Sequence, residues 1–160
     1  MLCEITVAPG YLKVDLFNRN TTEETRTALE AITAAARRHG CSQILISVHA
    51  SRPIFRIEQS GLLDCFRELA TGSRYRIALT GDSVELRLSQ QYIEAVARRA
   101  GINVRSFPDH QSALDWFRDR RWLSDRRRLQ ESWEVGERRK RGPRRKPSGT
   151  GAESLRSIPG

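Results

Sequence analysis

The sequence predicts an α/β fold: a mixed β-sheet with helices packed on it, in the order ββαβαβαβα, trailed by a basic C-terminal extension. Three features carry that prediction. Two short segments of alternating polarity flank Pro9-Gly10; the run ILISV at 44–48 is apolar almost without interruption; and four segments of helical apolar spacing alternate with the later strands. Strands that alternate with helices pair in parallel through right-handed crossovers, and the leading pair adds an antiparallel edge.

In order, Cys3, Ile5 and Val7 alternate with Glu4 and Thr6, and Leu12, Val14 and Leu16 with Lys13 and Asp15. Each is a strand with one apolar face. Thr21 stands three residues before Glu24, a capping-box spacing, and Leu29, Ile32 and Ala36 recur at helical intervals until Gly40. Residues 44–48 read as a central strand covered on both faces. After the proline-broken stretch ASRPIFR, Leu62, Phe66 and Leu69 mark a second helix ended by Gly72. Residues 75–79 form the next strand. Leu88, Tyr92, Ile93, Val96, Ala97 and Ala100 then give one helical face that stops at Gly101. Residues 103–107 are a last short strand, and Pro108-Asp109 leads into a helix carrying Ala113, Leu114 and Phe117.

Charge divides the chain. Residues 1–118 hold 15 Lys and Arg against 13 Asp and Glu, whereas residues 119–160 hold 13 against 6, so +7 of the net +9 belongs to the extension. The expected organisation is an α/β domain over 1–118, a basic amphipathic helix over 119–135 that carries Trp122, Leu129 and Trp133, and a disordered basic tail over 136–160. Within the tail, Arg138, Arg139, Lys140, Arg141, Arg144, Arg145 and Lys146 are candidate polyanion contacts, for nonspecific nucleic acid or for an anionic membrane surface. A solvated, solubilising extension is the alternative. No apolar run reaches the roughly 18–20 residues of a transmembrane helix, and the N-terminus lacks a basic region followed by an apolar block, so a cytoplasmic location is expected. Cys3, Cys41 and Cys65 have neither disulfide-framework nor zinc spacing, and reduced, mostly buried thiols are expected, with no metal and no cofactor.

The Gly81-Asp82-Ser83 corner is the first candidate for chemistry. Asp82 and Glu85 have the spacing of an N-cap and its reciprocal partner, and a phosphate there meets two carboxylates and no lysine. The corner therefore reads as a helix start, with Asp82 as the cap and Gly81 supplying an unusual backbone angle. His49 ends the central strand, and Asp82 and Asp109 follow other strand ends, so a His-Asp pair is conceivable. His39 and His110 read as helix-terminal residues. Without a nucleophile elbow, metal spacing or glycine loop, the chain is expected not to be an enzyme. Ile54 and Phe55, in a loop flanked by Arg52 and Arg56, are a candidate contact patch or a flap over the core.

The leading strand pair, QILISV, and the block YRIALTGDSVELRLSQQYIEAVARRAGINVRSFPDHQSALDWF together resemble the SpoIIAA-like group, in the STAS and SEC14-like fold neighbourhood, over residues 2–118. The resemblance implies a mixed sheet with packed helices and a non-enzymatic regulatory role exercised through a protein partner. Its STAS side implies a phosphorylated serine at a helix start. The nearest match is Gln59-Ser60-Gly61-Leu62, so Ser60 is the candidate phosphorylation site, with a plain helix cap as the alternative. Here Gln59 stands for the aspartate of that pattern, and residues 49–59 separate Ser60 from its strand. The SEC14 side implies a pocket for a small apolar ligand or lipid, for which Phe55, Ile57, Phe66 and Tyr92 are candidates; ordinary core is the competing role.

Overall fold

The computed structural model describes residues 1–70 and 75–119. The elements are β1 (Leu2–Ala8), β2 (Tyr11–Phe17), α1 (Thr22–His39), β3 (Gln43–His49), α2 (Leu62–Leu69), β4 (Arg76–Gly81), α3 (Val84–Arg99), β5 (Val104–Ser106) and α4 (His110–Arg118). They form an α/β structure with a five-stranded mixed sheet in the order β1-β2-β3-β4-β5. β1 and β2 pair antiparallel from Leu2↔Phe17 to Ala8↔Tyr11, and the other three pairings are parallel.

Strand order fixes where the helices lie. Each parallel strand is laid down beside the last in the same direction, so right-handed crossovers place α1, α2 and α3 on one face of the sheet. The parity of the strands agrees. Leu12, Val14 and Leu16 of β2, Ile44, Ile46 and Val48 of β3, and Ile77 and Leu79 of β4 meet those three helices in one buried cluster. On the other face, Leu45 and Ala78 meet Ala113, Trp116 and Phe117 of α4 in a second, smaller cluster. β3 is central and buried on both faces from Ile44 to Val48, as its nearly uninterrupted apolar run predicts.

α1 follows its sequence signals. Thr21 Oγ1 accepts from the Glu24 amide, Glu24 Oε2 accepts from the Thr21 amide, and Gly40 ends the helix in the left-handed region at φ 62°.

Four local expectations are corrected. Asp82 does not cap α3; Ser83 does, its Oγ accepting from the Leu86 amide, and the position that could answer a capping box is then Leu86, an apolar residue. Gly81 is outside the left-handed region, and closeness explains it: a Cβ there falls 2.9 Å from Leu86 Cβ and 3.1 Å from Gln90 Nε2. Leu88 is 54% exposed, because the buried face of α3 is built from Leu86, Ser89, Gln90, Ile93, Val96 and Ala97. Ser60 is not a helix cap, since α2 starts from Gly61 at φ 71° and Ser60 Oγ donates to the Ile57 carbonyl. The three thiols are free and half-buried. The expected helix over 119–135, the disordered tail, the candidate cations at 138–146 and the stop at Gly72 fall outside the described residues, Asp119 excepted.

Candidate functional site

Residues 50–61 join β3 to α2 without regular structure until the turns just before the helix, and the connection from β2 to α1 holds them in place. The Asn18 amide donates to the His49 carbonyl, the Arg19 amide to Ser51 Oγ, and the Arg52 amide to the Arg19 carbonyl. Two residues at the corners, Asn18 and Ala50, take left-handed backbone angles of φ 54° and 44°. For alanine that is a strained position. Asp82 Oδ2 accepts from the Ala50 amide at 3.0 Å, which is what the carboxylate does in place of capping α3.

Farther along, Ser89 of α3 binds both backbone groups of Ile54: its Oγ accepts from the amide and donates to the carbonyl, each at 2.7 Å. That pairing turns Ile54 toward the core, where it packs against the main cluster, and leaves Phe55 51% exposed with its ring 6.2 Å from that of Tyr92. The candidate contact pair is thus divided. Ile54 is an anchor and Phe55 is the exposed member. Beneath them Ile57 and Phe66 are buried core residues.

Outside this loop lies a cleft of about 470 Å³. Arg52, Phe55, Arg56 and Ser60 line one side, and Asn20 and Thr21 at the start of α1 the other. Among the described residues no carboxylate lines it. Arg26 reaches the same neighbourhood, donating to the Ser60 carbonyl at 2.9 Å. Glu24 occupies the Asn20 and Thr21 amides, and these bonds hold its carboxyl below the usual range.

At the carboxyl ends of the strands, on the α4 face, the structure brings His49 between two aspartates. Nε2 is 3.4 Å from Asp15 Oδ1 and Nδ1 is 3.7 Å from Asp82 Oδ2, while the ring stacks on Phe17 at 4.8 Å. The sequence pointed to Asp82 and Asp109. Asp82 takes part, Asp109 instead caps α4 by accepting from the Ser112 amide, and Asp15 was missed. Alternation along β2 and the register Phe17↔His49 are what bring Asp15 there. Each ring nitrogen is turned to a carboxylate. Among the described parallel strands the order never reverses, so the sheet has no topological switch point beside His49. Among the described residues no group of three or more His, Cys, Asp or Glu is placed to hold a metal ion, and no helix is long and apolar enough to cross a membrane.

Three polar residues that sequence patterning passed over matter to this region: Arg19, Ser89 and Gln90, all buried. The last two had a visible signal. They fall at helical spacing between Leu86 and Ile93, on the face that turns inward.

No protein-family model matches the chain, and a search of curated proteins finds no match.

Proposed function

We propose that the protein is a non-enzymatic regulatory module that binds a protein partner through the cleft beside residues 50–61. The observation that carries this reading is Phe55, half-exposed between Arg52 and Arg56 at the rim of a cleft that no described carboxylate lines. An aromatic anchor with arginines beside it suits an acidic segment bearing one large apolar side chain, since aromatic and arginine residues dominate binding energy at interfaces. The resemblance to SpoIIAA-like proteins supports a regulatory role. Ser60 lines the same cleft, and phosphorylation there adds about two negative charges in the neighbourhood of Arg26, Arg52 and Arg56, competing with an acidic partner for the same cations. Catalysis is not part of this reading, because both nitrogens of His49 face carboxylates. The cationic residues 138–146 serve as an auxiliary, nonspecific electrostatic arm.

The test is fluorescence anisotropy with a panel of labelled acidic peptides, each carrying one Phe or Leu. At least one should bind the full-length chain, Phe55→Ala should weaken it about tenfold or more, and the pair Arg52→Glu and Arg56→Glu should abolish it with the circular dichroism spectrum unchanged. Binding that survives Phe55→Ala at full strength excludes this surface.

A further inference from the structure

β1 is an edge strand, and among the described residues no strand pairs with its outer side. The Asn18 amide, at the end of β2, turns toward β3 and donates to the His49 carbonyl, so by alternation the even residues of β2 bond β3 and the odd ones bond β1. The pairs Leu2↔Phe17, Glu4↔Asp15, Thr6↔Lys13 and Ala8↔Tyr11 are therefore the hydrogen-bonded ones, and Cys3, Ile5 and Val7 present their amides and carbonyls outward. Such an edge is a template for another strand, and proteins blunt it with lysine, proline, a bulge or brevity. β5, at the opposite edge, is blunted in this way, being three residues long with Arg105 exposed. β1 is not. It runs for seven residues in unbroken register, Glu4 is its one charged side chain, and Leu2 and Val7 are 53% and 50% exposed.

The strand is its own complement. In an antiparallel pair centred on Ile5, Ile5 meets Ile5, Cys3 meets Val7 and Glu4 meets Thr6 of the second copy. Every outward amide and carbonyl of Cys3, Ile5 and Val7 is then answered, and these side chains form one apolar row across the axis, continuous with the main core. Charge favours the same register. Within one chain Glu4 lies opposite Asp15, a like-charge pair. The second copy sets its Thr6 beside Glu4 and, behind Thr6, its Lys13, about 10 Å away or two strand spacings, which the two long side chains bridge between them.

α1 leaves room for the approach. Arg26 and Arg37 reach to the α2 side, Arg26 donating to the Ser60 carbonyl and Arg37 pairing with Glu68 at 3.6 Å. The opposite flank, toward β1, carries Ala28, Ala31 and Ala35, and Glu24 at its start lies 3.5 Å from the Met1 ammonium. α1 and β1 thus start together and run the same way, about 27 Å and about 23 Å long. An axis through Ile5 therefore passes near Ala31. Two copies of α1 then pass antiparallel over small side chains, the acidic first turn of each toward the basic last turn of the other.

We infer that β1 is a self-association edge through which two copies of the chain pair, Ile5 on Ile5, to double the five-stranded sheet. The pairing uses the same strand on both sides and so closes at two copies. It shares no residue with the outer cleft.

Sedimentation equilibrium of the full-length chain under reducing conditions should give the mass of two chains. Val7→Pro removes an outward amide and leaves the ladder to β2 intact, so it should raise the dimer Kd about tenfold or more with the circular dichroism spectrum unchanged. Independently, Val7→Cys should form an interchain disulfide with the native Cys3 under mild oxidation, since hydrogen-bonded pairs stand about 5.5 Å apart. Adding Cys3→Ser should abolish that crosslink. A monomer overturns the inference, whether the amides of Cys3, Ile5 and Val7 exchange fast, which leaves the edge bare, or slowly, which shows it covered by the chain's own residues beyond 119. So does a dimer that the folded Val7→Pro chain retains at full strength, or a crosslink that survives Cys3→Ser.

Discussion

On the α4 side of the sheet, Arg76 donates to the carbonyls of Trp116 and Phe117 and lies 5.6 Å over the Trp116 ring; on the opposite side, Arg19 has one hydroxyl, one loop carbonyl and nothing for its Nε. Both are nearly as buried as a core leucine. Arg76 completes a structural joint, since the last carbonyls of a helix lack partners of their own and a cation favours that end. Arg19 completes no joint of that kind. Equal burial therefore separates into two meanings, one a joint between helix and sheet and one a brace of the connection around residue 19 that leaves a buried donor unpaired.

Removing each guanidinium breaks or sharpens that contrast. Arg76→Met should cost about 3 kcal/mol in urea denaturation, through two charge-assisted hydrogen bonds and a ring contact. Arg19→Met should stay within about 1 kcal/mol of the parent or exceed it, because an uncompensated buried charge is replaced by an apolar chain of similar length. Equal losses at the two positions would erase the distinction. Gly81→Ala comes next, at about 2 kcal/mol in the same assay, since its methyl meets Leu86 Cβ at 2.9 Å between β4 and α3.

The smallest effect concerns acid. Backbone bonds from Asn20 and Thr21 depress the carboxyl of Glu24, and the Ser112 amide and hydroxyl depress that of Asp109. A depressed carboxyl contributes stability that is fully present above its unfolded value, about 4, and is lost as pH falls through the lower folded value. Melting temperatures between pH 7 and pH 3 should fall less steeply for Glu24→Gln than for the parent, with the two curves converging at the acid end.

The legible parts of the fold are those whose signals are local. Thr21, Glu24 and Gly40 each act within a few residues of their own position, and α1 begins and ends as they dictate. The run at 44–48 could only be a strand covered twice. At α3 two caps compete within consecutive residues, and the choice falls to Ser83 because Asp82 is claimed by the amide of Ala50, 32 residues away in sequence. No window along the chain contains that information. The same holds for the region around residues 50–61. Its arginines and paired apolar residues were visible, but which of Ile54 and Phe55 turns inward depends on Ser89, a residue of another helix. Arg19 was hidden by its type, since arginine reads as surface until the strand-to-helix connection around it is closed.

The two bonds from Ser89 to Ile54 imitate what a neighbouring strand does for a residue in a sheet, with one side chain standing in for a whole rung of backbone. A segment without regular structure thereby has both backbone groups of one residue satisfied, and slow deuterium exchange of the Ile54 amide relative to its neighbours is the expected result. Because one hydroxyl carries both bonds and Ile54 packs against the core, the rate at which the Ile54 amide exchanges should report how often this point of the segment comes loose.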